Sequence, residues 1–196
     1  MGQTSLVSLC ERGAMADIQK LVEGGVDIDG QEGEFKYTAL HMAAKAGRAD
    51  VVEYLLEKGA KPGPVLSYGY TPLHCAAKGD HYEAALALLD AKVDINATDD
   101  MHDTALHVAC RSGSMDVALL LIEFGADMEL TERYGRKALQ CFPLPSQRKY
   151  AEDYLKEEPQ QQNAGRELQQ NPEREHIDIT SELTPQDEDF INLDEL

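Results

Sequence analysis

Three histidines, His41, His74 and His107, recur at intervals of 33 residues, and thiols accompany two of them: Cys75 follows His74 directly and Cys110 lies three residues beyond His107. Imidazole and thiol together suggest a metal centre or nucleophilic and acid–base catalysis. The spacing opposes both. If the interval reflects successive helices, equivalent side chains stand about 8–10 Å apart, whereas ligands approach a tetrahedral zinc to about 2 Å. The chain has no HExxH, no CxxC pair and no glycine-rich loop ahead of a phosphate-binding lysine. Nor do a nucleophile, a base and an orienting acid sit together at readable spacing. The expectation is therefore no catalysis, no metal and no cofactor, with the histidines bracing the fold. The cysteines at 10, 75, 110 and 141 read as reduced thiols. Cys10 and Cys110 fall at small, packed positions, and Cys75 is expected to be partly exposed.

The histidines belong to a longer repeat. Thr38-Ala39-Leu40-His41, Thr71-Pro72-Leu73-His74 and Thr104-Ala105-Leu106-His107 keep the 33-residue phase, which continues into Lys137-Ala138-Leu139-Gln140. Small pairs follow the first three: Ala43-Ala44, Ala76-Ala77 and Ala109-Cys110. Thr38, Thr71 and Thr104 can cap a helix, and Pro72 suits a first helical position. The spacing predicts a two-turn helix ending near Gly47, Gly79 and Gly113. A second helix of about ten residues follows, with Val51-Val52/Leu55-Leu56, Ala84-Ala85/Leu88-Leu89 and Val117-Ala118/Leu121-Ile122 on one face. Polar, turn-rich segments such as 94–103 separate the pairs.

The TPLH and TALH tetrapeptides, the paired small residues and the Gly-Ala-Asp turn at 125–127 resemble the ankyrin repeat. The resemblance implies an all-α solenoid of stacked helix–turn–helix units over residues 1–156, with projecting hairpin loops. The units are expected at 1–34, 35–67, 68–100, 101–133 and 134–156, the two end units modified as caps. In the first, Ile18, Leu21 and Val22 match Val52, Leu55 and Leu56 at an offset of 34; in the last, Pro143 and Pro145 break the first helix early.

Beyond residue 156 the composition changes to glutamine-rich and acidic, with twelve Asp and Glu against two Arg and one His. Residues 157–196 are expected to form a mostly disordered acidic tail. A short helix at 185–196 is predicted there, carrying Phe190, Leu193 and Leu196 as a partner-binding motif.

A formal net charge of -18 excludes nucleic acid or an anionic membrane as the main partner, and no apolar run reaches membrane-spanning length. The first residues lack signal-peptide and myristoylation patterns, so a cytoplasmic or nuclear location is expected and the sequon at Asn96 should stay bare. Function then rests on binding a protein. Hairpin tips supply Phe35, Tyr37, Tyr68, Tyr70, Met101, Tyr134 and Arg136, and Lys45, Lys78 and Arg111 recur at 33 residues as a basic ladder on the first helices. The resemblance implies an adaptor or regulatory subunit, as a monomer or within a hetero-complex. The alternative is an inhibitor masking a basic partner surface, for instance of a transcription factor. Two modification sites are expected: Asn96, placed as ankyrin proteins present asparagine to a hydroxylase, and Thr184, followed by Pro185.

Overall fold

A computed structural model describes residues 5–63 and 66–157. Among the described residues eight α-helices run in pairs: α1 (Leu6–Arg12) with α2 (Met15–Glu23), α3 (Ala39–Lys45) with α4 (Ala49–Glu57), α5 (Pro72–Lys78) with α6 (Tyr82–Asp90), and α7 (Ala105–Ser112) with α8 (Met115–Glu123). A single 3-10 turn, Ala138–Cys141, precedes α9 (Pro145–Glu157). Among the described residues the only strand-like pairings are the isolated bridges Glu32–Tyr37, Thr98–Thr104 and Thr131–Lys137, at the necks of hairpin loops. The fold is the all-α repeat solenoid that the resemblance implies.

The first helices α3, α5 and α7 begin the same way because each carries the same cap. Thr38, Thr71 and Thr104 accept the N–H of His41, His74 and His107 on their hydroxyls, and each imidazole reaches back to the threonine N–H. The cap and the first three residues of each of these helices are thus fixed by two side chains. The first helices α1, α3, α5 and α7 stack into one layer that the 3-10 turn continues, while α4, α6 and α8 follow one another in the outer layer. Ala43, Ala44, Ala76, Ala77, Ala109 and Cys110 are wholly buried between first helices. Their small size permits the close approach. Leu55, Leu88 and Leu121 are fully buried from the outer layer, each contributing about 2 kcal/mol of transfer free energy.

The second helices end in a left-handed residue. Gly25, Gly59 and Gly125 hold φ of 83°, 89° and 83°, and Lys92 fills the same place with φ 59°. At the fourth Thr-x-Leu-His position the chain reads Lys137 to Gln140, lacking both threonine and histidine. Only a 3-10 turn forms there, and Pro143 and Pro145 then restart the chain as α9. Of the expected tail at 157–196, Glu157 closes α9, and the rest, with Phe190, Leu193, Leu196 and Thr184, lies outside the described residues.

Candidate protein-binding face

The histidines link repeats. In each, Nδ1 receives the N–H of its capping threonine at 3.2–3.5 Å, which leaves Nε2 carrying the proton. Nε2 then donates to a carbonyl 29 residues ahead: His41 to Tyr70 at 3.1 Å, His74 to Asp103 at 3.0 Å and His107 to Arg136 at 3.2 Å. Protonating Nδ1 would set N–H against N–H. Burial lowers the His74 pKa, the hydrogen bond to Asp103 only partly offsetting it. Among the described residues no group of three or more His, Cys, Asp or Glu is placed to hold a metal.

The carbonyls that receive these bonds belong to a second set in the same phase: Tyr37, Tyr70, Asp103 and Arg136. Each stands just before a helix start, and the ladder residues Lys45, Lys78 and Arg111 follow the first three of them eight places on. Lys45 places Nζ 5.3 Å from the Tyr37 ring centre. Arg111 grips Asp103 with two bonds, Nη1 to Oδ1 at 2.9 Å and Nη2 to Oδ2 at 2.5 Å. Its partner carboxylate is almost fully buried. The expected basic ladder is thus uneven. Arg111 is neutralised within its own repeat, Lys45 rests on an aromatic ring, and among the described residues Lys78 has no ion-pair or ring partner. Tyr37 and Tyr70 are half-buried rather than at the tips: Tyr70 lies 5.0 Å from the His74 ring and burial, first among its causes, pushes its hydroxyl up to about 12. Arg136 bonds Glu132 through Nε at 3.0 Å and lies 6.0 Å from the Tyr134 ring. Burial opposes ionisation of Glu132, but the N–H groups of Tyr134 and Arg136 and the Arg136 side chain hold its pKa below the ordinary value.

Phe35, Tyr68, Met101 and Tyr134 do face solvent, at 44, 61, 37 and 72 % exposure. They are four of the six exposed large hydrophobics among the described residues, and all four occupy one repeat position. Backbone bonds join them into a row: Ser67 N–H to Phe35 C=O at 3.2 Å, Asp100 to Tyr68 at 3.1 Å and Arg133 to Met101 at 2.9 Å. The Phe35 and Tyr68 rings lean together with centres 6.1 Å apart. An aligned apolar ridge of this kind gives contact area at low cost in side-chain entropy.

Cys75 corrects an expectation. It is buried beneath the first-helix face, and burial pushes its thiol to about 12 despite Lys45 and Lys78 nearby. Cys10 is raised to about 12 as well, also by burial. Asn96 turns its amide oxygen to the N–H of Asp127 at 2.9 Å, so it braces the next loop; Asp29 does the same for Lys61 at 3.0 Å.

The sequence reading missed two clamps between repeats. His81 Nε2 bonds Lys45 C=O at 3.0 Å, its ring filling the space beside Gly47, and Asp80 Oδ1 accepts the N–H of Val117 at 3.1 Å. Burial raises the Asp80 pKa. Their signal was the Gly-Asp-His run at 79–81, which departs from its counterparts in the neighbouring repeats.

Comparison with known families finds a model for ankyrin repeats in three copies at residues 6–99 and for a further ankyrin repeat at 101–133. The chain belongs to the ankyrin-repeat family. Ankyrin repeats are protein-interaction modules, which fits a solenoid with an exposed ridge. The chain is 39 % identical over 59 residues to mouse (Mus musculus) 2-5A-dependent ribonuclease, covering 30 % of this chain and 8 % of that protein. It is 46 % identical over 48 residues to human ankyrin repeat domain-containing protein 40, covering 24 % and 13 %. It is 42 % identical over 55 residues to the palmitoyltransferase Hip14 of Drosophila melanogaster, covering 28 % and 8 %. The chain thus spans no more than 13 % of the length of these relatives. What they share with it is repeat sequence. Among the described residues no helix is long and apolar enough to cross a membrane.

Proposed function

We propose that this chain is a non-catalytic adaptor or regulatory subunit, acting in the cytoplasm or nucleus, that holds a protein partner along its hairpin ridge and first-helix face. The observation that carries the reading is the placement of four exposed apolar side chains, Phe35, Tyr68, Met101 and Tyr134, at one repeat position. Beyond the ring contacts of Phe35, that row adds little to the stability of the solenoid, whose core lies between helices. The half-buried Tyr37 and Tyr70, with Lys45 and Lys78, form the inner bank of the same surface. Arg111 and Arg136 serve there chiefly through the carboxylates they hold.

The test is comparative. Full-length chain and its Tyr68→Ala/Tyr134→Ala variant are used to capture proteins from the same lysate, with Glu53→Ala on the exposed side of α4 as control. A genuine partner is lost at least tenfold from the tip variant and kept by the control. Equal recovery by all three ends the reading. The charge of -18 favours a second mode, masking of a basic partner surface by the acidic body and tail. Salt separates the two: ridge binding keeps most of its affinity between 0.1 and 0.5 M salt, whereas charge masking falls steeply.

A further inference from the structure

Residues 187–196 read Asp-Glu-Asp-Phe-Ile-Asn-Leu-Asp-Glu-Leu, five carboxylates around the apolar residues Phe190, Leu193 and Leu196. We propose that this segment docks along the ridge of its own chain, its apolar anchors among Phe35, Tyr68 and Met101 and its carboxylates toward Lys45 and Lys78. The proposal rests on the reading of this face as a protein-binding site and states how that site is regulated: the tail competes with the external partner.

The first argument is register. The three anchors recur every third residue. In an extended three-residue-per-turn chain, such positions share one side and lie about 9 Å apart. Helices of successive repeats are separated by about 8–10 Å. One anchor therefore meets each repeat. An α-helical segment would crowd all three anchors into about 9 Å, the width of a single repeat.

The second is charge. On a body that is acidic overall, Lys45 and Lys78 point to one stretch of the first-helix face where positive charge is not already matched by a carboxylate. Acidic groups do border the ridge, namely Glu34, Asp99 and Asp100. Asp99, however, is committed to the N–H groups of Met101 and Asp103, at 2.8 and 2.9 Å. Arg111 is bound to Asp103, so attraction centres on α3 and α5, beside Phe35 and Tyr68.

The third is reach. Between α9 and the segment lie residues 158–186, a linker of 29 residues. On the proposal, a coil of that length would span about 30 Å root-mean-square, near three repeat spacings. Such tethering gives an effective concentration in the millimolar range. An intrinsic Kd of about 0.1 mM would then keep the ridge about nine-tenths occupied and weaken an external partner roughly tenfold.

The chain contains no tryptophan, so Tyr68→Trp places a single reporter on the ridge. Acrylamide quenching is measured on this full-length chain and on the same chain carrying Phe190→Ser, Leu193→Ser and Leu196→Ser. Quenching should rise at least twofold when the anchors are removed, and should rise also with Lys45→Glu/Lys78→Glu. The result should be the same at 1 and 100 μM protein. Equal quenching in all variants overturns the proposal, and so does a difference that appears only at high concentration, which would place the segment on a second copy. If quenching is indifferent to the anchors while partner capture still depends on Tyr68 and Tyr134, tail docking falls and the binding reading stands. If capture is indifferent to the tips, the binding reading falls whatever the tryptophan reports.

Discussion

His74 donates from Nε2 to the carbonyl oxygen of Asp103 across 3.0 Å, joining one repeat to the next between two buried residues. The same ring receives the Thr71 N–H on Nδ1. Replacing it therefore removes a helix cap and strands a buried carbonyl together. His74→Ala should lower the free energy of unfolding by about 2–4 kcal/mol, measured by urea denaturation. A loss below about 1 kcal/mol would mean that the carbonyl finds another donor.

The same imidazole makes stability depend on pH. Its folded pKa is lowered, by burial above all, so the unfolded chain takes up a proton first as pH falls through about 6.5. Stability is fully present above that value and declines toward pH 5, with a slope of at most about 1.4 kcal/mol per pH unit from this residue. His74→Gln should be less stable throughout but should show a shallower decline between pH 7 and 5.

The Asp103–Arg111 pair joins a buried carboxylate to a guanidinium that is 42 % exposed. Solvent on the arginine side screens the attraction, so a double-mutant cycle with Asp103→Ala and Arg111→Ala should give a coupling of about 1 kcal/mol rather than the several expected of a fully buried pair. Removing Arg111 alone should cost more than removing both partners, because it leaves the carboxylate buried without its cation.

Lys92 occupies a left-handed position that glycine holds in three other repeats, with φ 59°. An L side chain there costs about 1–2 kcal/mol. Lys92→Gly should raise stability by about 0.5–1 kcal/mol, the gain trimmed by the added freedom of the unfolded chain. At Gly47, φ is 66° and a Cβ would sit 2.5 Å from His81 Nδ1. Gly59 has φ 89° and open space around it. Gly47→Ala should therefore cost more than Gly59→Ala, and thermal denaturation of the two variants would show whether the His81 contact adds to the backbone strain.

All four cysteines are buried, and burial raises every one of their pKa values, those of Cys10 and Cys75 to about 12. Alkylation by iodoacetamide at pH 8 should be at least a hundredfold slower in native protein than in urea. Because the unfolded thiols ionise near pH 8.5 and the folded ones above that, stability should fall as pH rises past 8.5.

The helix pairs were legible because periodicity, caps and turns all recur at one interval. Thr38, Thr71 and Thr104 mark helix starts whatever surrounds them. The partners of the ladder residues were not legible. Equal spacing showed that Lys45, Lys78 and Arg111 share a position, but what each touches depends on Tyr37, Tyr70 and Asp103, which differ in chemistry at that shared position. Cys75 was misjudged for a related reason. It follows His74 directly, which suggested partial exposure, yet on α5 it is buried with the small residues around it. Exposure of Phe35, Tyr68, Met101 and Tyr134 could be inferred from their loops, whereas the backbone bonds that align them depend on how neighbouring hairpins meet.

Those bonds have a mechanical consequence. From the second repeat to the fifth, neighbours are fastened twice, by an imidazole at the helix start and by a carbonyl at the hairpin tip. One fastening would leave a swivel; two define an angle. The stack should flex like a leaf spring, spreading any imposed curvature in small equal strains over its joints, with stiffness set by the weakest one. A partner lying along the tips would then feel a strip of nearly constant radius, and a substitution at a single joint could alter its grip without touching it.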